Sequence, residues 1–277
     1  MMSRVCHQVK WLKLLGLMAL AALWAGGFLS PAYGADEFAG EKIPLNQPNV
    51  AENLDQELLL LSEAKARVFL TLRRSLRHLP LIDAALAQNK VPIDFRYLPM
   101  TLTSLAPAYQ AGGRAGLWRL TVNEAKTMGL TVSSEVDERL DPVASTNQAA
   151  NKLKNLIAAH KSPVMALAAF IDERSLLAAQ AAAGGAKNFF SLYITESLEK
   201  PVYQVLAGKY LFGDPAAYGY PNVKPWPPLA KNRQKLTAPT SLKELAAKSK
   251  VDYKTFRDLN PHFLTDIAPA GFFVNLP

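Results

Sequence analysis

From Asn53 the apolar positions recur at three- and four-residue steps, through Leu54, Leu58, Leu61, Val68 and Leu72. That spacing puts them on one face of a helix. Asn53 can cap its start. Arg73, Arg74 and Arg77 are expected at its C-terminal end, where the helix dipole favours positive charge, and they read as a solvated basic face. Leu79-Pro80-Leu81-Ile82 opens a second helix that Asn89 ends. Pro92 suits the first turn of a third, whose apolar run is interrupted at Pro99. A glycine-rich loop, Gly112 to Gly116, closes on Leu117-Trp118, and a further helix is expected from there to Met128, stopped by Gly129.

Asp141 and Ser145 are capping residue types around Pro142, at the head of a helix whose amphipathic pattern is clearest from Ala149 to His160. Pro163 starts an uncharged helix over Val164 to Phe170, which should be buried. Residues 176–186 are alanine-rich and end in Gly184-Gly185, and a last helix runs from Pro201 to Tyr210. No sustained strand alternation appears over residues 51–220, so that span reads as one all-helical domain. Pro215, Pro221, Pro225, Pro227 and Pro228, with Tyr218, Tyr220 and Trp226, make a stiff extended segment that should pack on the helices. Beyond it the order changes. An extended piece at Gln234 to Leu236 precedes a cap at Thr240 or Ser241. Two short helix faces follow (Leu242, Leu245, Ala246, then Val251, Tyr253, Phe256, Leu259). Asn260-Pro261 breaks the second, and Phe272, Val274 and Leu276 alternate as a strand.

The N-terminus reads differently. Arg4, Lys10 and Lys13 precede an apolar run from Leu14 to Leu29, and Ala32-Tyr33-Gly34 offers small residues before Ala35. That is the three-part build of a secretory signal over residues 1–34, with an uncleaved anchor as the alternative. The run is short for a span of about 20 apolar residues. The expected organisation is therefore a signal peptide at 1–34, an extended lead-in at 35–50, a helical domain at 51–220, a linker at 221–233 and a C-terminal module at 234–277.

The chain has 277 residues, 49% apolar and 19% charged, with a net charge of +8. These are values of a folded protein. The one cysteine, Cys6, falls in the leader, so folding beyond it needs no redox chemistry. His78, His160 and His262 lack ligand spacing, so no metal and no cofactor are expected. The positive charge suits an anionic wall polymer or a membrane surface but is too dispersed to argue for nucleic acid.

Residues 91–121 carry the chemistry-bearing pattern. Asp94, Tyr97, Leu98, Pro99, Pro107, Gly116, Leu117 and Trp118 fall on P-x-E-L-x-Y-L-P-x-x-E-S, a proline a few residues on, then G-A-x-G-L-W-Q. The stretch resembles the lytic transglycosylases of the soluble lytic and membrane-bound type D kind. Met128-Gly129-Leu130, the run from Asp137 to Thr146 and Phe189 to Tyr193 extend the resemblance. It implies a lysozyme-like, mainly α fold. The C-terminal β-α-α-β order, best kept from Phe256 to Pro261, resembles a degenerate LysM module. Ala238-Pro239-Thr240-Ser241 stands where that module usually carries its G-D-S/T loop.

In that family one glutamate protonates the glycosidic oxygen between N-acetylmuramic acid and N-acetylglucosamine. It then acts as base toward the muramic 6-hydroxyl, leaving a 1,6-anhydro end. Here its place falls on Leu102, which can neither give nor take a proton. Thr103 stands for the family's serine and Arg119 for a glutamine. Phe170 and Ile171 stand for a tyrosine and an asparagine, and Pro201 falls near a later tyrosine. The resemblance thus implies a cleft at Leu102, Thr103, Gly116, Leu117, Trp118, Arg119, Phe170 and Ile171 whose framework is kept and whose chemistry is lost. The expected partners are peptidoglycan glycan strands or an envelope protein in the periplasm, with a membrane only if the leader stays uncut. One alternative is an active enzyme with a relocated acid, for which Asp94, Glu124 and Glu138 are the candidates. A second is an envelope scaffold that binds no glycan. Asp137 and Glu138 read as capping and salt-bridging partners of Arg139.

Overall fold

The computed structural model describes residues 36–228, 230 and 232–277; the signal peptide expected over 1–34 lies outside the described residues. The fold is mainly helical, with a small β-containing C-terminal part. Among the described residues no helix is long and apolar enough to cross a membrane.

The segment expected to be an extended lead-in turns back on itself. β1 (Glu37–Phe38) and β2 (Glu41–Lys42) pair antiparallel, because Phe38 and Ile43, 0% and 1% exposed, tuck into the helical core. Phe38 meets Phe95 edge-on, with centroids 5.2 Å apart. α1 (Pro48–Glu63) then begins at Pro48, not Asn53, since a proline at the first helical position loses no hydrogen bond.

α2 (Lys65–Gln88) corrects the expected helix boundary. The break falls at Ala64, and Pro80 sits inside a continuous helix. The proline deprives the Leu76 carbonyl of its donor, but buried Ile82, Ala85 and Leu86 carry the helix on. Arg73, Arg74 and Arg77 are therefore mid-helix, where no end-of-helix dipole holds them. They hold the proline-rich segment. The Arg73 and Arg77 guanidiniums each lie 4.8 Å from the Trp226 ring centroid. Arg73 Nη1 also donates to the Lys224 carbonyl at 2.6 Å and Arg77 Nε to that of Pro227 at 3.2 Å. Cation–π contacts and carbonyl bonds together strap the segment onto α2.

His78, on the same helix, makes the protein acid-sensitive. Burial, and then the Arg77 and Arg74 charges, push its pKa down from 6.5 to about 4. The folded state holds it neutral while the unfolded chain protonates it. Stability is thus fully present above pH 6.5 and drains away as pH falls toward 4. The loss amounts to about 3 kcal/mol by linkage. Urea unfolding of wild type and His78→Gln at pH 7 and pH 4 checks this; the substitution should remove most of the acid loss from this group, and an unchanged difference would refute the assignment.

A single 3₁₀ turn (Ile93–Arg96) opens after Pro92 and runs into α3 (Tyr97–Thr103). Pro99 does not interrupt it, because it lies in the first turn, where its missing N–H would have no helical partner. α3 packs on α7 (Glu196–Gly213), which starts well before the expected Pro201. The two backbones come close because residue 208 is glycine: a Cβ there would sit 2.2 Å from Thr101 Oγ1. Between them in sequence lie α4 (Val122–Thr127), α5 (Pro142–His160) and α6 (Pro163–Ala182). α4 does not open after Trp118. It opens after Thr121, whose hydroxyl and the Glu124 carboxylate cap each other's amides. The uncharged run expected over Val164 to Phe170 is buried, the helical backbone breaks two residues later at Asp172, and a second, charged-then-alanine-rich stretch of helix carries α6 on to Ala182.

The C-terminal part is closed by two antiparallel pairs, β3 (Asn232–Lys235) with β6 (Phe273–Leu276) and β4 (Thr240–Ser241) with β5 (Ile267–Ala268). Between them lie α8 (Leu242–Lys248), which Ser241 caps, and α9 (Tyr253–Leu259). Asn260 fastens α9 to β6: its side chain donates to the Asn275 carbonyl at 2.9 Å and accepts the Asn275 amide at 2.7 Å. The core of this part takes in Val136, a residue of the helical part, beside Leu242, Phe256 and Phe263. Asp137 N donates to the His262 carbonyl at 2.8 Å and Leu264 N to that of Glu135 at 2.7 Å. Arg233 pairs with the buried Asp141 carboxylate. The sequence predicts a separate module; these contacts dock it on the helices.

Candidate functional site

α3 ends where its backbone is forced left-handed. Ser104 and Leu105 both have φ of 53°. Arg67 and Arg74 of α2 hold this turn. Arg67 donates to the Thr101 carbonyl and the Ser104 hydroxyl, and Arg74 Nη1 to the Ser104 carbonyl at 3.0 Å. Thr103, the last residue of α3, directs its hydroxyl between the Pro99 and Leu117 carbonyls, at 2.7 and 3.0 Å. The helix end is thereby tied to the glycine-rich loop.

That loop is held from the other side by Arg139. Its guanidinium pairs with Asp137 at 2.7 Å and donates to the Gly113 and Leu120 carbonyls at 2.8 and 3.1 Å. Gly116, at φ +79°, lies against the Arg139 backbone so closely that a Cβ would stand 1.8 Å from its carbonyl oxygen. Leu117 is fully buried. Trp118, 2% exposed, donates its indole N–H to Thr146 Oγ1 at 2.9 Å and meets Phe170 edge-on at 5.8 Å. Buried so, the indole is a wall and has no open face for a sugar to stack on. Lys152 Nζ lies 4.7 Å from the Phe170 ring centroid.

A cavity of about 170 Å³ opens in front of this wall. Leu102, Trp118, Arg119, Phe170 and Ile171 line it, joined by Arg114, Glu124 and Asp172. Thr103, Gly116 and Leu117 do not line it; they form the framework behind. Two helices are interrupted at its edge. α6 kinks at Asp172 (φ −157°, ψ 86°), where the carboxylate accepts from Ser175 N at 3.1 Å and Ser175 Oγ at 2.7 Å. α7 carries Pro201, which leaves the Ser197 carbonyl without its helical donor, and both residues line the cavity.

Of the candidate relocated acids, only Glu124 reaches this cavity. Asp94 accepts from Ala39 N and from Lys209 Nζ, each at 2.7 Å, and ties the N-terminal hairpin to α7. Glu138 accepts from Thr131 N at 2.7 Å. Burial pushes the Glu124 carboxyl up. The Thr121 amide and hydroxyl, at 2.9 and 2.8 Å, and the Lys152 and Arg114 charges outweigh it and hold the group below the usual carboxylate value. Asp172 is held low in the same way: burial raises it, and the Ser175 hydroxyl and amide with Arg114 outweigh that. Both carboxylates in the cavity are therefore fixed acceptors, and neither holds a proton to give near neutral pH. Burial, and then Arg114, lower the Arg119 pKa.

Sequence reasoning did not bring Arg67, Arg114 or Asp172 to this site. One signal was present: Asp172 followed three residues later by Ser175 is a capping pattern just beyond the Phe170 end of the expected helix. Arg114 sits within the glycine-rich loop itself, and Arg67 comes from a distant helix and carried none.

Residues 103–186 match the family model described as the transglycosylase SLT domain. The matched segment contains the glycine-rich loop, Trp118 and α4 to α6, and it begins one residue after Leu102. This part of the chain is thus similar to peptidoglycan-acting lytic transglycosylase domains. No curated protein matches the chain.

Proposed function

We propose that this protein engages peptidoglycan glycan strands at the Leu102 cavity without cleaving them, as an exported protein of the cell envelope. The observation that carries the reading is the chemistry of the cavity. An aliphatic side chain stands where the resemblance puts the family's glutamate, and Glu124 and Asp172 are held ionised. A general acid needs a proton at the working pH. What remains suits binding: Arg114 and Arg119 as donors, and the Glu124 and Asp172 carboxylates as acceptors, facing a hydroxyl-rich ligand. The C-terminal part, read as a degenerate LysM-like module, acts in this proposal as a support for the Asp137–Asp141 segment; its contacts at Glu135, Asp137 and Asp141 motivate that role. Export rests on the leader pattern of residues 1–34.

Two measurements on purified sacculi test this. The protein should co-sediment with them, and Arg114→Ala with Arg119→Ala should reduce retention. Release of 1,6-anhydro ends above a heat-killed control would show an active enzyme and overturn the non-catalytic part. Absence of retention would overturn glycan binding and leave an envelope partner or a scaffold role.

A further inference from the structure

A second cavity lies away from this site, between α2, the start of α5 and the C-terminal part, with a volume of about 510 Å³. That is within the range of small-ligand pockets. Its floor is apolar: Leu81 and Pro80 of α2, Leu105, Val143, Leu259 and Pro261. Its charges are uneven. Arg233 faces it but is neutralised by Asp141, and Asp258 faces it but pairs with Lys254 at 2.5 Å. Arg74 and Arg77 also face it, and among the described residues neither has a carboxylate partner. Arg74 spends one N–H on the Ser104 carbonyl and Arg77 one on that of Pro227. Each guanidinium carries five N–H donors, so most of this capacity is unspent. Burial, then Arg74 and Arg73, lower the Arg77 pKa, as expected where like charges crowd without a counter-ion. The solvated basic face read from the sequence is, in three dimensions, one side of a pocket.

We propose that this cavity binds an amphipathic anion, its apolar body against Leu81, Leu105, Val143 and Leu259 and its acidic head between Arg74 and Arg77. An apolar body of this size gains by leaving water. A carboxylate, sulfonate or phosphate head takes charge-assisted bonds from two guanidiniums that, among the described residues, no carboxylate neutralises. Neither half alone suffices: a neutral apolar molecule leaves the arginines unmatched, and a free anion leaves the floor wet. Because the walls come from both the helical and the C-terminal parts, the bound ligand would add to the contacts that dock one on the other.

Anilinonaphthalene sulfonate is a suitable probe for the full-length protein, with phenylnaphthylamine, the same body without the acid, as its partner, and inorganic phosphate as the head alone. The sulfonate should bind saturably at one site per chain, about tenfold or more tighter than the neutral probe, and phosphate at millimolar concentration should not compete. Arg74→Gln with Arg77→Gln should erase the difference between the two probes while leaving neutral binding in place. Should that variant lose its thermal transition, Val143→Phe serves instead; it fills the floor and should abolish binding of both probes. Arg119→Gln, in the other cavity, should change nothing here. Equal affinity of the two probes for the wild type, or sulfonate binding unaffected by Val143→Phe, overturns the proposal, and competition by phosphate alone would show a simple anion site in its place.

Discussion

Replacing Gly116 with alanine should cost about 4 kcal/mol or more, among the largest single-residue effects available in this fold. Two penalties add. The backbone at φ +79° is left-handed, which L side chains adopt at a cost of about 1–2 kcal/mol. The new methyl would then stand 1.8 Å from the Arg139 carbonyl oxygen, a contact no rotamer relieves. Arg139 cannot withdraw cheaply. Its side chain is 5% exposed, paired with Asp137, and bonded to two carbonyls of the loop it would have to leave. Thermal unfolding should show a midpoint lowered by about 10 °C for a chain of this length. Gly113→Ala is the control: it is equally left-handed, at φ +69°, but nothing lies within 4 Å of its Cβ position. It should show the backbone penalty alone. Equal effects of the two substitutions would mean that the Gly116–Arg139 contact yields.

If the cavity is non-catalytic as proposed, transglycosylase chemistry should need four substitutions and not one. Leu102→Glu places a carboxyl in the cavity lined by Arg114 and Arg119. Glu124 shows what becomes of a carboxyl there, since Arg114 and Lys152 help hold it ionised despite burial. The new group should likewise stay deprotonated, and hydrolytic or anhydro-forming cleavage of sacculi should remain near background. Adding Arg119→Gln removes one of those charges. Phe170→Tyr and Ile171→Asn return a hydroxyl and an amide to the cavity wall. The fourfold variant should exceed the single one by about 10²-fold or more, the size of a working general acid, and by more than the separate changes predict, because groups serving one transition state are not additive. Robust cleavage by Leu102→Glu alone would show that the remaining site is intact as it stands.

Much of this fold was legible in the chain. The three-to-four spacing of Leu54, Leu58 and Leu61 gave the first helix, the cap at Asp141 with Pro142 gave the start of α5, and Gly129 marked the end of α4, because local sterics and amide satisfaction act within one turn. The outer strands and the two helices of the C-terminal part were readable, the last strand from the switch to period two at Phe272, Val274 and Leu276; the short β4–β5 pair was not. Boundaries were less so. Pro80 looks like a break, yet the burial of Ile82, Ala85 and Leu86 keeps α2 whole; Pro99 and Pro201 look like starts or stops, and their meaning depends on how many helical residues precede them. The helix read as ending at Phe170 does break nearby, at Asp172; that it resumes there, with Asp172 capping Ser175 at the cavity edge, was not legible.

By itself the sequence determined most element types and the transglycosylase-like resemblance, which places Leu102 at the family's glutamate position; these are properties of residue type and spacing along the chain. Only the tertiary structure decided what surrounds that leucine. Arg67, Arg114, Lys152 and Glu124 come from four separate segments, and their charges fall off over distances that no spacing along the chain encodes. The same holds for Arg74 and Arg77. Along the chain they are an ordinary basic run, and a pocket wall only once the C-terminal part docks through Asp137, Asp141 and Val136 and takes the water from one side of them.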